Sequence, residues 1–262
     1  MHRKLIFQVI CVILIVLSHL HLSYDFYGAW WYSALGFMLV LFFGYLTWGR
    51  AFFYVGGLKI PRNRLWRTLL MAFAVTGISL GTILLIAGSN HVELRPGSFQ
   101  SYIHDVFYIL NEEIIIGALM LYFLTGRFRI KPLAASTGLA LFVAVAHFVF
   151  YKWDFRDKGY LDFSTLATLF LTAVLKNNLI ICYRHIGYAW AIHFGWMVVM
   201  FGSEHFQMPG NVRMTDLEKF NLYLGSPAIL LTSLMLAAAS IYYCFPLVKQ
   251  RFRAIRLLRA RT

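Results

Sequence analysis

SYIHDVFYILNEEIIIGALMLYFLTG, residues 101–126, decides the fold. The run is apolar and long enough to cross a bilayer at about 1.5 Å per helical residue. Yet it carries two adjacent glutamates, Glu112 and Glu113, near its middle. A charge at the bilayer centre costs about 2.5–3.5 kcal/mol even on the lenient insertion scale. A pair placed there implies a bundle interior or a wet cavity, and a chemical task.

Apolar runs of this kind recur along the whole chain. Of its 262 residues, 60% are hydrophobic and only 13% charged. Eight candidate spans cover residues 5–24, 29–48, 67–88, 103–125, 132–153, 163–183, 187–203 and 223–246. The expected fold is therefore all-α: a polytopic helical membrane protein with about eight transmembrane helices and a central polar cavity, forming one integral membrane domain over 1–262. Arg3 and Lys4 precede the first span and no small-residue cleavage site follows it, so it reads as a retained signal-anchor.

The net charge of +13 raises the question of nucleic acid, and its distribution answers it. With a cytoplasmic N-terminus, the inner segments hold Arg3, Lys4, Arg50, Lys59, Arg62, Arg64, Arg67, Arg127, Arg129, Lys131, Arg184 and the basic residues from Lys249 to Arg261, and no acid. That is the positive-inside pattern of a multi-pass cell-membrane protein with both termini cytoplasmic. The tail KQRFRAIRLLRART is expected against anionic lipid headgroups, not nucleic acid. Cys11, Cys182 and Cys244 all fall inside spans, which excludes a disulfide framework or a CxxC zinc site.

Once loops are set aside, few ionisable groups remain in the spans: Glu112, Glu113, His147, Lys176 and His193, with Asn177 and Asn178 beside the lysine. Intramembrane ionisable residues read as functional. Glu112 shares a helix face with Tyr108 and nearly with His104. Adjacent glutamates on an α-helix diverge by about 100°, so one is expected to do chemistry while the other is paired or protonated. His19, His21, His91, His185 and His205 lie at span ends or in loops and read as solvated.

These residues resemble a known family. EEIIIGALMLYFL resembles the EExxxR motif of the CPBP intramembrane proteases, the CAAX-protease and bacteriocin-processing proteins. LALFVAVAHF resembles their FxxxH motif, and LTAVLKNNLIICYRHIGYAWAIHFGWM their last segment, which ends in HxxxN. Order, spacing and placement on the fourth, fifth and seventh spans agree over residues 50–205, leaving 5–24, 29–48 and 223–246 as flanking spans. The resemblance implies an intramembrane endopeptidase acting on a membrane-associated peptide or protein. Glu112 would activate water with His147 assisting, His193 would steady the oxyanion and Glu113 would support, with no metal and no cofactor.

Three positions depart from the family pattern. Gly117 stands at the motif Arg, Met197 at the motif Asn and Val143 at the motif Phe. Lys176 and Asn177 or Asn178 are the expected replacements, a cation and amide donors on the sixth span, with Tyr108 as a further supporting group. The alternative is a non-catalytic pseudoprotease of the same fold that binds or regulates a membrane partner. A proton-coupled transporter is disfavoured, since no inverted repeat or Gly/Pro-broken helix pair is evident.

Overall fold

The computed structural model describes residues 2–25, 30–89, 95–96, 99–150, 163–197, 206–207 and 227–259. Helices α1 (His2–Asp25), α2 (Trp30–Trp48), α3 (Phe52–Val55), α4 (Arg62–Ser89), α5 (Phe99–Glu112), α6 (Pro132–Phe150), α7 (Phe163–Tyr183), α8 (Gly187–Met197) and α9 (Pro227–Arg259) follow in order. Strand β1 (Arg95–Pro96) pairs antiparallel with β2 (Phe206–Gln207). Helix α5 continues without a break into a π-helical stretch, Glu113–Leu119, and a second one covers Tyr122–Arg127. Pro132 and Pro227 open their helices and Pro61 directly precedes α4, where a missing N–H costs nothing.

The all-α class stands, and each expected span falls on a helix wherever its residues are described. Among the described residues, five helices are long and apolar enough to cross a membrane: Trp30–Val55, Arg62–Thr82, Tyr102–Arg127, Phe163–Tyr183 and Pro227–Pro246. Ile6–Leu17 and Pro132–His147 are shorter apolar helices. Residues 29, 151–153, 198–203 and 223–226 of the expected spans lie outside the described residues. Large side chains such as Leu85 and Phe73 are 77% and 76% exposed. Such apolar faces suit lipid and would be a liability in water.

The chain packs as two compact units, which divide between Met120 and Leu121 and again between Arg184 and His185, with the end of the chain from Leu224 belonging to the second. In the first, α2 packs on α1 and α5, and α4 packs on α8. Ser33, Gly36, Val40 and Gly44 form the buried stripe of α2, and a Cβ at Gly44 would overlap the Phe52 ring. In the second, α7 packs on both α6 and α9. Asn177 Nδ2 donates to the Ser136 carbonyl at 3.0 Å, tying α7 to α6. The contacts Thr172–Ser233 and Asn178–Ser240 join residues 61 and 62 apart in sequence. That nearly constant offset means α7 and α9 run parallel. Hydrogen bonds of this kind between membrane helices contribute about 0.6–2 kcal/mol each.

One turn holds the first unit together near its candidate site. Gly57, at φ +67°, accepts a hydrogen bond on its carbonyl from the Ile186 N–H at 2.9 Å. A Cβ there would lie 2.9 Å from Ile186 Cγ2 and 3.3 Å from the Ala118 Cβ in the π-helical stretch. The left-handed conformation alone costs a residue with a Cβ about 1–2 kcal/mol. Gly57→Ala should therefore lower stability by at least that amount. Gly77→Ala, in α4 with open space around it, should change it little or raise it by about 0.5–1 kcal/mol. Thermal unfolding of both variants in detergent measures the difference.

Candidate functional site

Helix α5 presents a polar face to the interior of the first unit. His104, Asp105, Tyr108, Asn111 and Glu112 are all buried, and Glu113 is 2% exposed. His104 Nδ1 and Ser33 Oγ are hydrogen-bonded at 2.8 Å, and Asn111 Nδ2 donates to the Ser33 carbonyl. These contacts fix the rotation of α5 against α2. The helix changes character at Glu113, where i→i+5 bonding begins. Such stretches are rare and recur at functional sites. More residues per turn means a smaller angle between successive side chains, so the two glutamates diverge less than on an α-helix.

Helix α8 brings the third member. Gly187, Ala191 and Gly195 recur every fourth residue and all are buried. A Cβ at Gly195 would lie 2.7 Å from Val75 Cγ1, and one at Gly187 would lie 2.8 Å from Thr68 Oγ1. Small residues at this spacing let two helix backbones approach closely, here α8 and α4. His193 lies about 200° round the helix from the middle of that stripe, so it points away from α4. His193 Nδ1 donates to Glu113 Oε1 at 2.9 Å and lies 4.0 Å from Glu112 Oε1. Met197, on the same side, joins Tyr108 and Ile109 in an apolar cluster flanked by Trp190 and Phe194.

The structure thus brings together three of the four expected catalytic residues. Glu113 orients the His193 imidazole, much as a carboxylate orients a catalytic histidine. Glu112 is the carboxylate further from that ring. The ligating atoms of Glu112, Glu113 and His193 lie within 4.8 Å of one another. The sequence reading places no metal here; one imidazole and two carboxylates nonetheless make a donor set that a zinc ion fits.

The fourth residue, His147, belongs to the second unit. Its Nδ1 donates to the Val143 carbonyl at 2.8 Å, which leaves Nε2 as the basic nitrogen. Lys176 is buried in α7 of that unit. Asn177 and Asn178 each place an amide donor on a neighbouring helix, at Ser136 and Ser240. Tyr108 stacks on His104 at 5.8 Å between ring centroids. Sequence reasoning placed His104 near the face of Glu112 but missed Asp105 and Asn111. Their i, i+1 and i+7 spacing, continued to Glu112 at i+8, was the available signal.

His185 corrects an expectation. It is 1% exposed rather than solvated. Its Nδ1 accepts the Gly187 N–H at 3.2 Å, and its ring packs on Tyr188. Gly187 admits Thr68 and Ile60 close to this turn, which closes it to water. Side chains at 19, 21, 91 and 205 lie outside the described residues. Burial first, and the nearby Arg64 second, push the His185 pKa down from 6.5 to about 4.

Compared with known proteins, the chain matches no family model, no curated protein and no solved structure.

Two measurements follow from this geometry. In a double-mutant cycle, Glu113→Gln and His193→Gln should be non-additive in stability by about 0.5–3 kcal/mol; additive effects would mean that the pair makes no contact. For His185, the unfolded chain takes up a proton near pH 6.5 while the folded chain does not until about pH 4. Between those values the unfolded state holds more protons, so stability falls as pH falls, levelling off below 4. Thermal unfolding at several pH values should show a steeper acid loss in the wild type than in His185→Gln.

Proposed function

We propose that this chain is an intramembrane endopeptidase of the CPBP type. It would have about eight spans around a polar cavity, cytoplasmic termini and a basic tail on anionic headgroups. Its substrate is a peptide or protein held in or beside the membrane. One observation carries the reading: two buried glutamates and a histidine meet, with His193 Nδ1 2.9 Å from Glu113 and 4.0 Å from Glu112. In this mechanism Glu112 takes a proton from water, the water oxygen attacks the scissile carbonyl, and the same proton passes to the leaving amine. Glu113 orients the His193 ring by accepting from Nδ1, and in its imidazolium form the ring would donate from Nε2–H to the developing oxyanion. His147 contributes as the resemblance implies, through a basic Nε2.

A second reading is a non-catalytic relative that binds a membrane partner. It draws on Met197, which sits in an apolar cluster where the family pattern has an amide donor, and on Gly117 in place of the arginine. The two readings separate by mutation. Glu112→Gln should lower processing of native membrane peptides by about 10²–10⁴, with insertion unchanged. His147→Ala and His193→Ala should likewise leave precursor accumulated in comparative membrane proteomics. Chelators should leave processing intact; loss of processing on chelation would move the mechanism to the three-ligand metal site. Identical peptide profiles in the wild type and Glu112→Gln would favour the non-catalytic reading.

A further inference from the structure

A second polar feature of the first unit lies away from the glutamates. The chain leaves α2, turns through Gly49–Ala51 and α3, and reverses at Gly56 and Gly57 before α4. This reversal shapes an open cavity of about 680 Å³, lined by Tyr45, Arg50, Phe53, Tyr54, Lys59 and Ile60 among others. It lies between two helices apolar enough to cross a membrane, Trp30–Val55 and Arg62–Thr82. In a bilayer, the adjoining ends of those two helices would place the cavity where headgroups meet hydrocarbon.

Its charge is one-signed. No acidic residue occurs from 26 to 92, and among the described residues neither Arg50 nor Lys59 forms an ion pair. Lys59 is held in place: its backbone N–H donates to the Phe53 carbonyl at 2.9 Å. Its Nζ donates to the Tyr54 hydroxyl and sits 4.2 Å from that ring's centroid. Two cations, one of them positioned, thus share a cavity with aromatic walls. Beside it, Phe42, Leu46 and Phe53 form an exposed apolar flank, 42–63% exposed.

From this arrangement we infer a binding site for an anionic phospholipid, its phosphate between Arg50 and Lys59 and its acyl chains along Phe42, Leu46 and Phe53. Guanidinium and ammonium groups are the side chains that recognise phosphate, the first as a fork and the second as a point charge. The apolar flank distinguishes a lipid from a free phosphate ion, which has no use for it. The site is independent of the peptidase reading, since no residue lining it has a role in that mechanism.

Native mass spectrometry of the full chain, from micelles containing phosphatidylglycerol and phosphatidylcholine, tests this. Phosphatidylglycerol should stay bound and phosphatidylcholine should not. Arg50→Ala with Lys59→Ala should weaken retention about tenfold or more. Arg62→Ala with Arg67→Ala removes as much charge outside the cavity and should leave retention unchanged. Equal losses in the two double variants, or equal retention of both lipids, would overturn the site. Competition by inorganic phosphate at the lipid's own concentration would overturn the lipid assignment. Should the first double variant fail to fold, a photoactivatable phosphatidylglycerol on the wild type decides. Adducts within residues 42–60 are expected, and adducts only elsewhere refute the proposal.

Discussion

A hydrogen bond 2.9 Å long between the half-buried His193 and the buried Glu113 is the contact on which the first unit's interior depends. An isolated carboxylate in that environment is costly. A partner on another helix offsets the cost only if the helices hold it in place. Three features do so. Ser33 and Asn111 set the rotation of α5. Gly187 and Gly195 bring α8 against α4. Gly57 links the π-helical stretch to the turn that starts α8.

The same packing bears on the two positions, 117 and 197, at which the sequence differs from the motifs it resembles. An arginine four residues after Glu113 would be an intrahelical partner on an α-helix. Here the helix is π-helical from Glu113 and Gly117 is buried, so that geometry is absent, and His193 meets the carboxylate instead. Met197 stands one turn beyond His193 in an apolar cluster with Tyr108 and Ile109. An amide at 197 would face apolar neighbours. The neighbourhood is thus built around a histidine–carboxylate pair, with its apolar wall on one side.

The second unit uses polar groups differently. Asn177, Asn178 and Thr172 join α7 to its two neighbours. These are structural hydrogen bonds between membrane helices, where packing has little hydrophobic drive of its own. Two amides that stood out in sequence because they sit mid-span are explained at least partly by helix association. A polar residue in a span is therefore a pointer to an interior, and its chemistry depends on which interior.

Sequence by itself determined the all-α membrane class and the candidate residues, because both follow from local composition. An apolar run of some 20 residues has few alternatives to a helix in lipid, and a glutamate inside one is conspicuous by its cost. It did not reveal His185 as buried, because a short connection between spans gives no local sign that Gly187 lets α4 close over it. It did not reveal the π-helical stretch either, since Ile114–Ile116 suits an α-helix as well. Which candidates meet was decided by tertiary structure alone. Glu113 and His193 are 80 residues apart, and the azimuth of each depends on a further helix: α2, hydrogen-bonded to α5, and α4, packed on the small residues of α8.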